Sequence, residues 1–316
     1  MDVFYTKTYN LSGPNAQKQD IAAQLARSLG YKEISLFRFE DSYDNDIELC
    51  VRMQAITTAV SRNSTVIFQY PSMVSLRYDR CLMDQLRKKN GLHLILWASD
   101  LGSEVYNEKY TNICEEISLF NMADMLILPS HNMKEHLEKA GLNPKLPVLY
   151  QEVWDYPYPV SSPAATIQKI PDYFGGTLKE RTQLKRSCGI SILGTKGNWY
   201  EYASIPMELT YCLAKGCPAV AASSSRAADF VHTYDVGLIY QVTNANTDVV
   251  ATVSNILSTV SEDRWNIVCT NVLRIRELLL DGAFTKRLLT EAVLTVTTQG
   301  LPHHLPKMSN TNEPIT

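Results

Sequence analysis

The sequence predicts an α/β fold of two domains, each built on a parallel β-sheet, which face one another across a cleft. Short runs of β-branched and aromatic residues alternate with helical stretches along the first half of the chain. Two of these runs, TVIF and MLIL, are apolar throughout, which is typical of strands buried on both faces of a sheet. A proline-rich segment, DYPYPVSSP at 155–163, then separates this part from a second stretch in which strands and helices alternate again.

The first part of the chain contains six predicted strands and the second part only three. The six lie at residues 3–6, 34–39, 65–70, 93–98, 124–129 and 147–150. The three lie at residues 189–193, 218–222 and 237–242, with helices from Pro206 and near 224–233, 246–260, 262–280 and 284–297. The helix between the first two strands is predicted to end on Gly30, because glycine readily adopts the left-handed conformation that closes a helix. The second sheet is therefore expected to be the smaller one.

The changes in composition and in the strand and helix pattern along the chain also predict the domain boundaries. They are 1–155 for an N-terminal Rossmann-like domain, 156–165 for a proline-rich linker, 166–281 for a reduced C-terminal domain, 282–298 for a closing helix and 299–316 for a disordered tail. Ligands of such sheets bind beyond the carboxyl ends of the strands, so the loops that follow the strands carry the candidate site residues.

The composition is that of a globular protein without bias toward nucleic acid or anionic membrane. The chain has 316 residues, is 45% hydrophobic and 20% charged, and has a formal net charge of -3. No apolar run approaches the roughly 18 residues that a membrane span needs, and the start MDVFYTKTYN lacks the pattern of a secretory signal. The 7 cysteines form no CxxC pair and the 6 histidines have no zinc spacing, so we expect reduced thiols, no metal and a cytoplasmic protein.

Several segments resemble one family of bacterial enzymes. They are LARSLGYKEISLF at 25–37, DMLILPSHNMKEHLEKAGL at 124–142, VWDYP at 153–157, LAKGCPAV at 213–220, GLIY at 237–240 and GAFTKRLLTEAV at 282–293. The most specific pieces are FTKRLLTEAV and the LAxGxP turn. The chain is similar to the GT-B glycosyltransferases that extend O-linked glycans on serine-rich repeat adhesins, whose relatives include exopolysaccharide galactofuranosyltransferases.

The resemblance implies transfer of a hexose from a UDP-sugar to a glycan or glycoprotein acceptor. It implies a donor bound on the C-terminal domain and an acceptor bound against the N-terminal one, in a homo-oligomer. It also implies no cofactor and no metal, because helix N-termini and basic side chains stabilise the departing diphosphate in such enzymes.

Two departures from the family affect the predicted donor site. Four residues that open the helix after Pro206 are candidates for donor binding: Glu208, Leu209, Thr210 and Tyr211. Relatives have a lysine where this chain has Glu208, and a carboxylate repels a diphosphate although it suits the helix dipole. The family's strand-rich segment, with its arginine, is also shortened here, and Arg181 or Lys185 could replace that positive charge.

Two loops of the N-terminal domain carry further candidates. In TYNLSGPNAQKQD at 8–20, Asn15 and Gln17 lie where a helix begins and could hydrogen-bond a sugar or a phosphate. The alternative for Asn15 is an ordinary helix cap. After the fourth strand, Asp100 is the candidate for the base that an inverting transferase needs, with a helix-capping acid as the alternative. Relatives have a histidine before this aspartate, and this chain has Ser99.

The loop GTKGNWYEY at 194–202 combines glycines, aromatics and Lys196 just before the helix of the donor site. It could hold uracil and phosphate, with Lys196 supplying the positive charge that the helix start lacks, and a surface loop with buried aromatics is the alternative. Trp154 and Asp155 are interpreted as structural, the first as an aromatic anchor and the second as a turn carboxylate at the hinge.

Three functions remain open from the sequence. The leading hypothesis is a metal-independent hexosyltransferase of the GT-B type. The second is a catalytically silent paralogue that binds glycosylated protein or a partner transferase, which Glu208 and the short second domain favour. A regulator that binds a sugar nucleotide is the third. The donor sugar, the acceptor and the linkage formed do not follow from the residues.

Overall fold

The computed structural model of the chain describes residues 1–105, 110, 112–160, 191–193, 199–242 and 249–298. Within them the protein has one parallel sheet of six strands and one of three. The predicted linker is described only as far as residue 160, and the predicted tail, 299–316, lies outside the described residues.

The first sheet contains the six strands that the sequence predicts. They are β1 Val3–Tyr9, β2 Lys32–Phe37, β3 Thr65–Tyr70, β4 His93–Ala98, β5 Met125–Leu128 and β6 Val148–Tyr150, in the order β2-β1-β3-β4-β5-β6. The helices between them are α1 Pro14–Ser28, α2 Asp46–Ile56, α3 Leu76–Arg87, α4 Gly102–Val105, α5 Ile113–Phe120 and α6 His131–Lys139. Strand β1 runs beyond the predicted residue 6, because its parallel pairing with β2 continues as far as Tyr9 opposite Phe37.

The second sheet is the smaller one, as predicted, with three strands among the described residues. They are β7 Ser191–Leu193, β8 Ala219–Ala222 and β9 Gly237–Tyr240, in the parallel order β7-β8-β9. Its helices are α7 Trp199–Ala203, α8 Met207–Ala214, α9 Arg226–Tyr234, α10 Val249–Thr259 and α11 Glu262–Asp281, and the closing helix is α12 Ala283–Thr298. No helix in the described ranges combines the length and the apolar composition that crossing a membrane requires.

Helix α1 ends as the sequence predicts. Gly30 has a φ of 79°, in the left-handed region that glycine adopts without steric cost. The N–H of Tyr31 donates to the carbonyl of Ala26 at 3.1 Å, and the N–H of Gly30 donates to that of Arg27 at 2.9 Å. This pair of hydrogen bonds is the Schellman motif, so the prediction for Gly30 is confirmed.

Helix α12 packs on the first domain, although it follows the second domain in the chain. Gly282 turns the chain between α11 and α12 with a φ of 75°, and a Cβ there would lie 2.2 Å from a methyl carbon of Leu25. Leu289 of α12 is buried in one apolar cluster with Ile21 of α1 and Ile127 of β5. The last described helix therefore completes one apolar face of the first sheet.

The hinge before the linker is structural, as interpreted from the sequence. The indole of Trp154 stacks on Trp97 with ring centroids 5.4 Å apart. A carboxylate oxygen of Asp155 accepts a hydrogen bond from the N–H of Thr285 at 2.5 Å, in the first turn of α12. Burial raises the pKa of Asp155 to about 7, because the charged form loses its hydration. Both residues therefore fix the first domain to the closing helix.

Candidate functional site

The candidate site lies between the carboxyl edges of the two sheets. In the first sheet the strand order reverses between β1 and β3, and loops after β1, β3 and β4 leave this edge. Tyr211 of α8 donates a hydrogen bond across the cleft to Oε1 of Gln17 on α1. Arg226 of α9 donates to the carbonyls of Pro129 at 2.9 Å and Gln151 at 3.2 Å, which follow β5 and β6. Helix starts of both domains therefore border one cleft.

One buried polar cluster in this cleft joins Lys18, Asp100 and Tyr200. Nζ of Lys18 lies 3.1 and 2.9 Å from the two carboxylate oxygens of Asp100. The hydroxyl of Tyr200, from α7 of the second domain, donates to Oδ1 of Asp100. The side chains of Lys18 and Asp100 are only 10% and 7% exposed. A buried ion pair is stable only when further groups satisfy both ions, and here Tyr200 and the ring of Trp154, 5.9 Å from Nζ, do so.

Asp100, predicted as the base, lies where the sequence places it, two residues after the end of β4 and beside the cleft. Its carboxylate already accepts hydrogen bonds from Lys18 and Tyr200. Among the described hydrogen bonds none joins it to a helix N–H, so nothing supports the alternative of a capping acid. The carboxylate is buried, and its role as the base stays a prediction.

Asn15 and Gln17 both lie in the first turns of α1, and the structure brings only Gln17 into contact with the second domain. The alternative interpretation of Asn15 as the helix cap is wrong, because α1 begins at Pro14 and Gly13 occupies the cap position. The amide of Asn15 is half-buried and lies 3.7 Å from the sulfur of Met73. Asn15 therefore lies near the loop after β3, and Gln17 faces α8.

The four candidates on α8 have different surroundings. Glu208 is half-buried in the first turn and has no hydrogen bond or ion pair with any residue that the structure describes. Leu209 is buried in the apolar core of the second domain. Thr210 is buried too, and its hydroxyl donates to the carbonyl of Trp154 at 2.8 Å. Of the four, Glu208 and Tyr211 have side chains that are not fully buried, and Tyr211 contacts the first domain.

Three helices that begin at the cleft have no side-chain cap. They are α1 with Gly13, α8 with Pro206 and α9 with Ser225 at the cap position. Five other helices, α2, α3, α5, α6 and α11, each have a cap side chain, in order Asn45, Ser75, Asn112, Ser130 and Ser261. In an uncapped first turn the backbone N–H groups are free to donate hydrogen bonds to a bound anion. These groups lie at the positive end of the helix dipole, which also favours an anion.

Sequence reasoning missed Lys18, Tyr200 and Arg226. Arg226 opens α9 and Lys18 lies just beyond the first turn of α1, near helix starts where the dipole disfavours positive charge, and this is a signal that the sequence does contain. Burial lowers the pKa of Arg226, although its charge is held by Asp229 at 3.2 Å. Tyr200 lies in the stretch 194–202 that the sequence predicts as a loop, but α7 begins at Trp199, and the pairing of Tyr200 with Asp100, 100 residues away in the chain, was not predicted.

A buried acidic network supports the loops after β3 and β4. Glu116 accepts hydrogen bonds from the hydroxyl of Tyr70 at 2.7 Å and the N–H of Gly102 at 2.6 Å. Asp79 accepts from the hydroxyl of Tyr110 at 3.0 Å and the N–H of Ser72 at 3.2 Å. Burial raises the pKa of Asp79 to about 7. These carboxylates hold the loops on which the cleft is built.

Three predicted basic residues, Arg181, Lys185 and Lys196, lie outside the described residues, so their donor-site roles stay predictions. Among the residues that are described, no three His, Cys, Asp or Glu side chains come together as a metal site would require.

Comparison with protein families gives two matches that follow the two domains. The N-terminal domain of the Glucosyltransferase 3-like proteins matches residues 3–153, and the C-terminal domain of the same proteins matches residues 180–292. Two curated relatives are called Glucosyltransferase 3 and are each 23% identical to this chain. The one from Streptococcus gordonii aligns over 94% of this chain and 99% of its own length, and the one from Streptococcus parasanguinis over 90% and 96%.

Two proteins with solved structures illustrate the likeness in fold. HepE of Anabaena, solved with UDP and with UDP-glucose, has a TM-score of 0.55 at 12% identity, covering 93% of this chain and 99% of HepE. Sucrose-phosphate synthase of Thermosynechococcus elongatus has a TM-score of 0.54 at 10% identity, covering 94% and 100%. These likenesses show the GT-B fold and confirm the predicted fold class.

Proposed function

Because the chain belongs to a glycosyltransferase family, with Glucosyltransferase 3-like domains over both halves, we propose that it transfers a hexose from a UDP-sugar to a glycan or glycoprotein. The observation that carries the proposal is the meeting of both family domains at one cleft where α1, α8 and α9 begin without side-chain caps. The name of the two curated relatives and the UDP-glucose complex of HepE support a UDP-hexose as donor.

The donor diphosphate lies at the starts of α8 and α9 in this proposal. The free N–H groups of those first turns donate to phosphate oxygens, and the helix dipoles favour the negative charge. Arg226, in the first turn of α9, carries a positive charge at the same edge, which Asp229 at 3.2 Å offsets in part. The carboxylate of Glu208 opposes this attraction, so the net affinity for UDP decides whether the site works.

The reaction is a single displacement that needs no metal. The acceptor hydroxyl oxygen attacks the anomeric carbon of the sugar, and the bond from that carbon to the diphosphate oxygen breaks. The proton of the hydroxyl passes to the carboxylate of Asp100, and UDP leaves with the bonding electron pair. The N–H groups at the helix starts stabilise the charge that develops on the departing diphosphate.

The acceptor that the sequence resemblance favours is an O-linked glycan of a serine-rich adhesin. The support for this acceptor is the run of shared segments from residue 25 to residue 293. An assay with glycosylated serine-rich repeats, compared with unmodified repeats, tests it directly.

Calorimetric titration of the whole protein with UDP is the first test. We expect binding in the micromolar range, followed by turnover when UDP-hexoses are screened with acceptor. No heat of binding at millimolar UDP would overturn the proposal and favour the catalytically silent paralogue, for which a protein partner should then be sought.

Glu208→Lys tests the role of charge at the start of α8. We expect tighter UDP binding, because a like-charge repulsion becomes an attraction across the first turn. Glu262→Lys is the matched control, since Glu262 is an exposed acid in the first turn of α11. Both variants carry the same mismatch with a helix dipole, but only Glu208 borders the cleft. Equal UDP affinity in wild type and both variants would show that the diphosphate does not lie at this helix.

A further inference from the structure

Two aromatic rings lie side by side where β1 and β2 end at the cleft edge of the first sheet. Tyr9 and Phe37 are the last residues of these strands and are paired in register. Their rings stack with centroids 5.4 Å apart and planes inclined by 24°. Phe37 is 56% exposed, so its ring is open to a ligand.

The Tyr9 ring of the pair is held in place by its neighbours. The hydroxyl of Tyr9 donates to a carboxylate oxygen of Glu33 at 2.6 Å, and Glu33 is itself paired with Arg27 at 2.9 Å. Nζ of Lys7 lies 4.6 Å from the centroid of the Tyr9 ring. A ring fixed at its hydroxyl and covered by a cation keeps one orientation, and Phe37 stacks on this fixed ring. The ordering cost of binding a ligand there is correspondingly small.

The pair does not belong to the core or to the exposed apolar side of α2. Side chains alternate along a strand, so Phe37 points to the face opposite that of Leu36. Leu36 is fully buried in a cluster with Leu49 of α2, on the other face of the sheet. Three exposed apolar residues near α2, Tyr43, Ile47 and Val51, form a separate surface. The exposed ring of Phe37 is thus not accounted for by the packing of either face.

We propose that the Tyr9–Phe37 pair binds a sugar ring of the acceptor glycan by stacking, an inference that rests on the proposed function. The face of an aromatic ring is electron-rich, and the C–H hydrogens on the apolar face of a pyranose carry a partial positive charge, so the two surfaces attract. Asn10 and Arg38, both exposed, directly follow the two strands. Their amide and guanidinium groups supply hydrogen bonds to sugar hydroxyls.

The position of the pair sets which sugar it contacts. Phe37 ends β2, and Asp100 follows β4, which is three strand spacings away in the order β2-β1-β3-β4. At about 4.8 Å per spacing, the two are separated by about 14 Å across the sheet. The ring therefore contacts a sugar remote from the reacting hydroxyl, and it selects extended glycans over monosaccharides.

Binding of the UDP-saturated protein to a printed array of mono- to hexasaccharides tests this inference. Among the oligosaccharides that the wild type binds, Phe37→Ala is expected to lower the affinity about 3- to 10-fold, the range typical of an aromatic contact. Phe37→Trp, which retains a stacking surface, is expected to restore affinity to within about twofold of wild type. Ile47→Ala, which removes an exposed apolar side chain of α2 at 77% exposure, is the matched control and should bind as wild type.

Three results would overturn the inference. One is unchanged affinity of Phe37→Ala for every oligosaccharide, and another is an array on which the wild type binds none. The third is a change in sedimentation mass for Phe37→Ala, because the pair would then be a contact between copies of the chain. The UDP titration separates the proposed glycosyltransferase function from the proposed stacking role. If the protein binds UDP but its affinity for glycans is the same with and without the ring of Phe37, only the stacking role is contradicted.

Discussion

The starts of α1 and α8 border the same cleft without side-chain caps, and the charged residues in or next to their first turns have opposite signs. Helix α1 has no acid in its first turn and Lys18 just beyond it, whereas α8 has Glu208. Lys18 opposes the dipole of its own helix, and Asp100 offsets that cost at 2.9 Å. Glu208 suits its dipole but has no partner among the described residues. The comparison teaches that the two charges have different origins: Lys18 is stabilised by a carboxylate of its own domain, whereas Glu208 is stabilised by the dipole of its own helix.

Removing the charge of Lys18 on α1 should cause the largest loss of folding stability. Lys18→Met leaves the buried carboxylate of Asp100 without its cation, and breaking a buried pair in this way costs about 3 to 5 kcal/mol. Denaturant unfolding measures the loss. Lys215→Met, at the exposed end of α8, is the matched control and should change the free energy of unfolding by less than about 0.5 kcal/mol. A double variant with Asp100→Asn should recover part of the loss, and failure to recover any would contradict the pairing.

At the start of a third helix, α12, the charged residue that contacts the first turn is a buried acid, Asp155. The pKa of Asp155 is raised to about 7 in the folded protein, against an ordinary value near 3.8. The folded state therefore holds this proton more tightly, and the stability it contributes is present in acid and lost as pH rises from about 4 to about 7. Asp155→Asn should abolish that part of the pH dependence while keeping the acceptor for the Thr285 N–H. Asp281→Asn, at a largely exposed carboxylate, is the control, and identical pH profiles for the two variants would contradict the assignment.

The smallest expected effect is at the contact between the two helix starts. Tyr211→Phe removes the hydroxyl that donates to Gln17, and one such hydrogen bond contributes about 0.5 to 1.5 kcal/mol. The midpoint of thermal unfolding and the affinity for UDP should both fall slightly. Tyr156→Phe serves as control, because its ring packs on Tyr211 at 5.5 Å but none of the described hydrogen bonds uses its hydroxyl. An effect of Tyr156→Phe as large as that of Tyr211→Phe would show that the loss is not specific to the hydrogen bond between Tyr211 and Gln17.

The strands were predictable because their signal is local. Thr65–Tyr70 and His93–Ala98 coincide with the predicted runs, since buried parallel strands are apolar over their whole length. Asp100 was predictable as a cleft residue for the same reason, because it lies in the loop just after β4. Its pairing with Lys18 was not, because the two are 82 residues apart and no local pattern encodes a contact between that loop and helix α1.

The four candidate residues on α8 show what the sequence could not predict about the site. A helix start was predicted correctly, but the sequence does not say which side chains of its first turns reach the cleft. Leu209 and Thr210 lie in the first turn of α8 but are buried, because Leu209 packs in the core of the second domain and Thr210 donates to the carbonyl of Trp154. Which face of α8 is buried depends on how the helix packs against the rest of the protein. These tertiary contacts are not encoded in the local sequence.

The packing of α12 on the first domain bears on how the chain is synthesised. The six strands of the first sheet are complete by residue 150, yet one apolar face of that sheet is covered by a helix that begins at residue 283. A chain growing from its N-terminus on the ribosome carries this open face until nearly all described residues have been translated. The first domain is thus synthesised first but cannot complete its packing until α12 has been synthesised. Until then the nascent chain should bind chaperones that recognise exposed apolar surface.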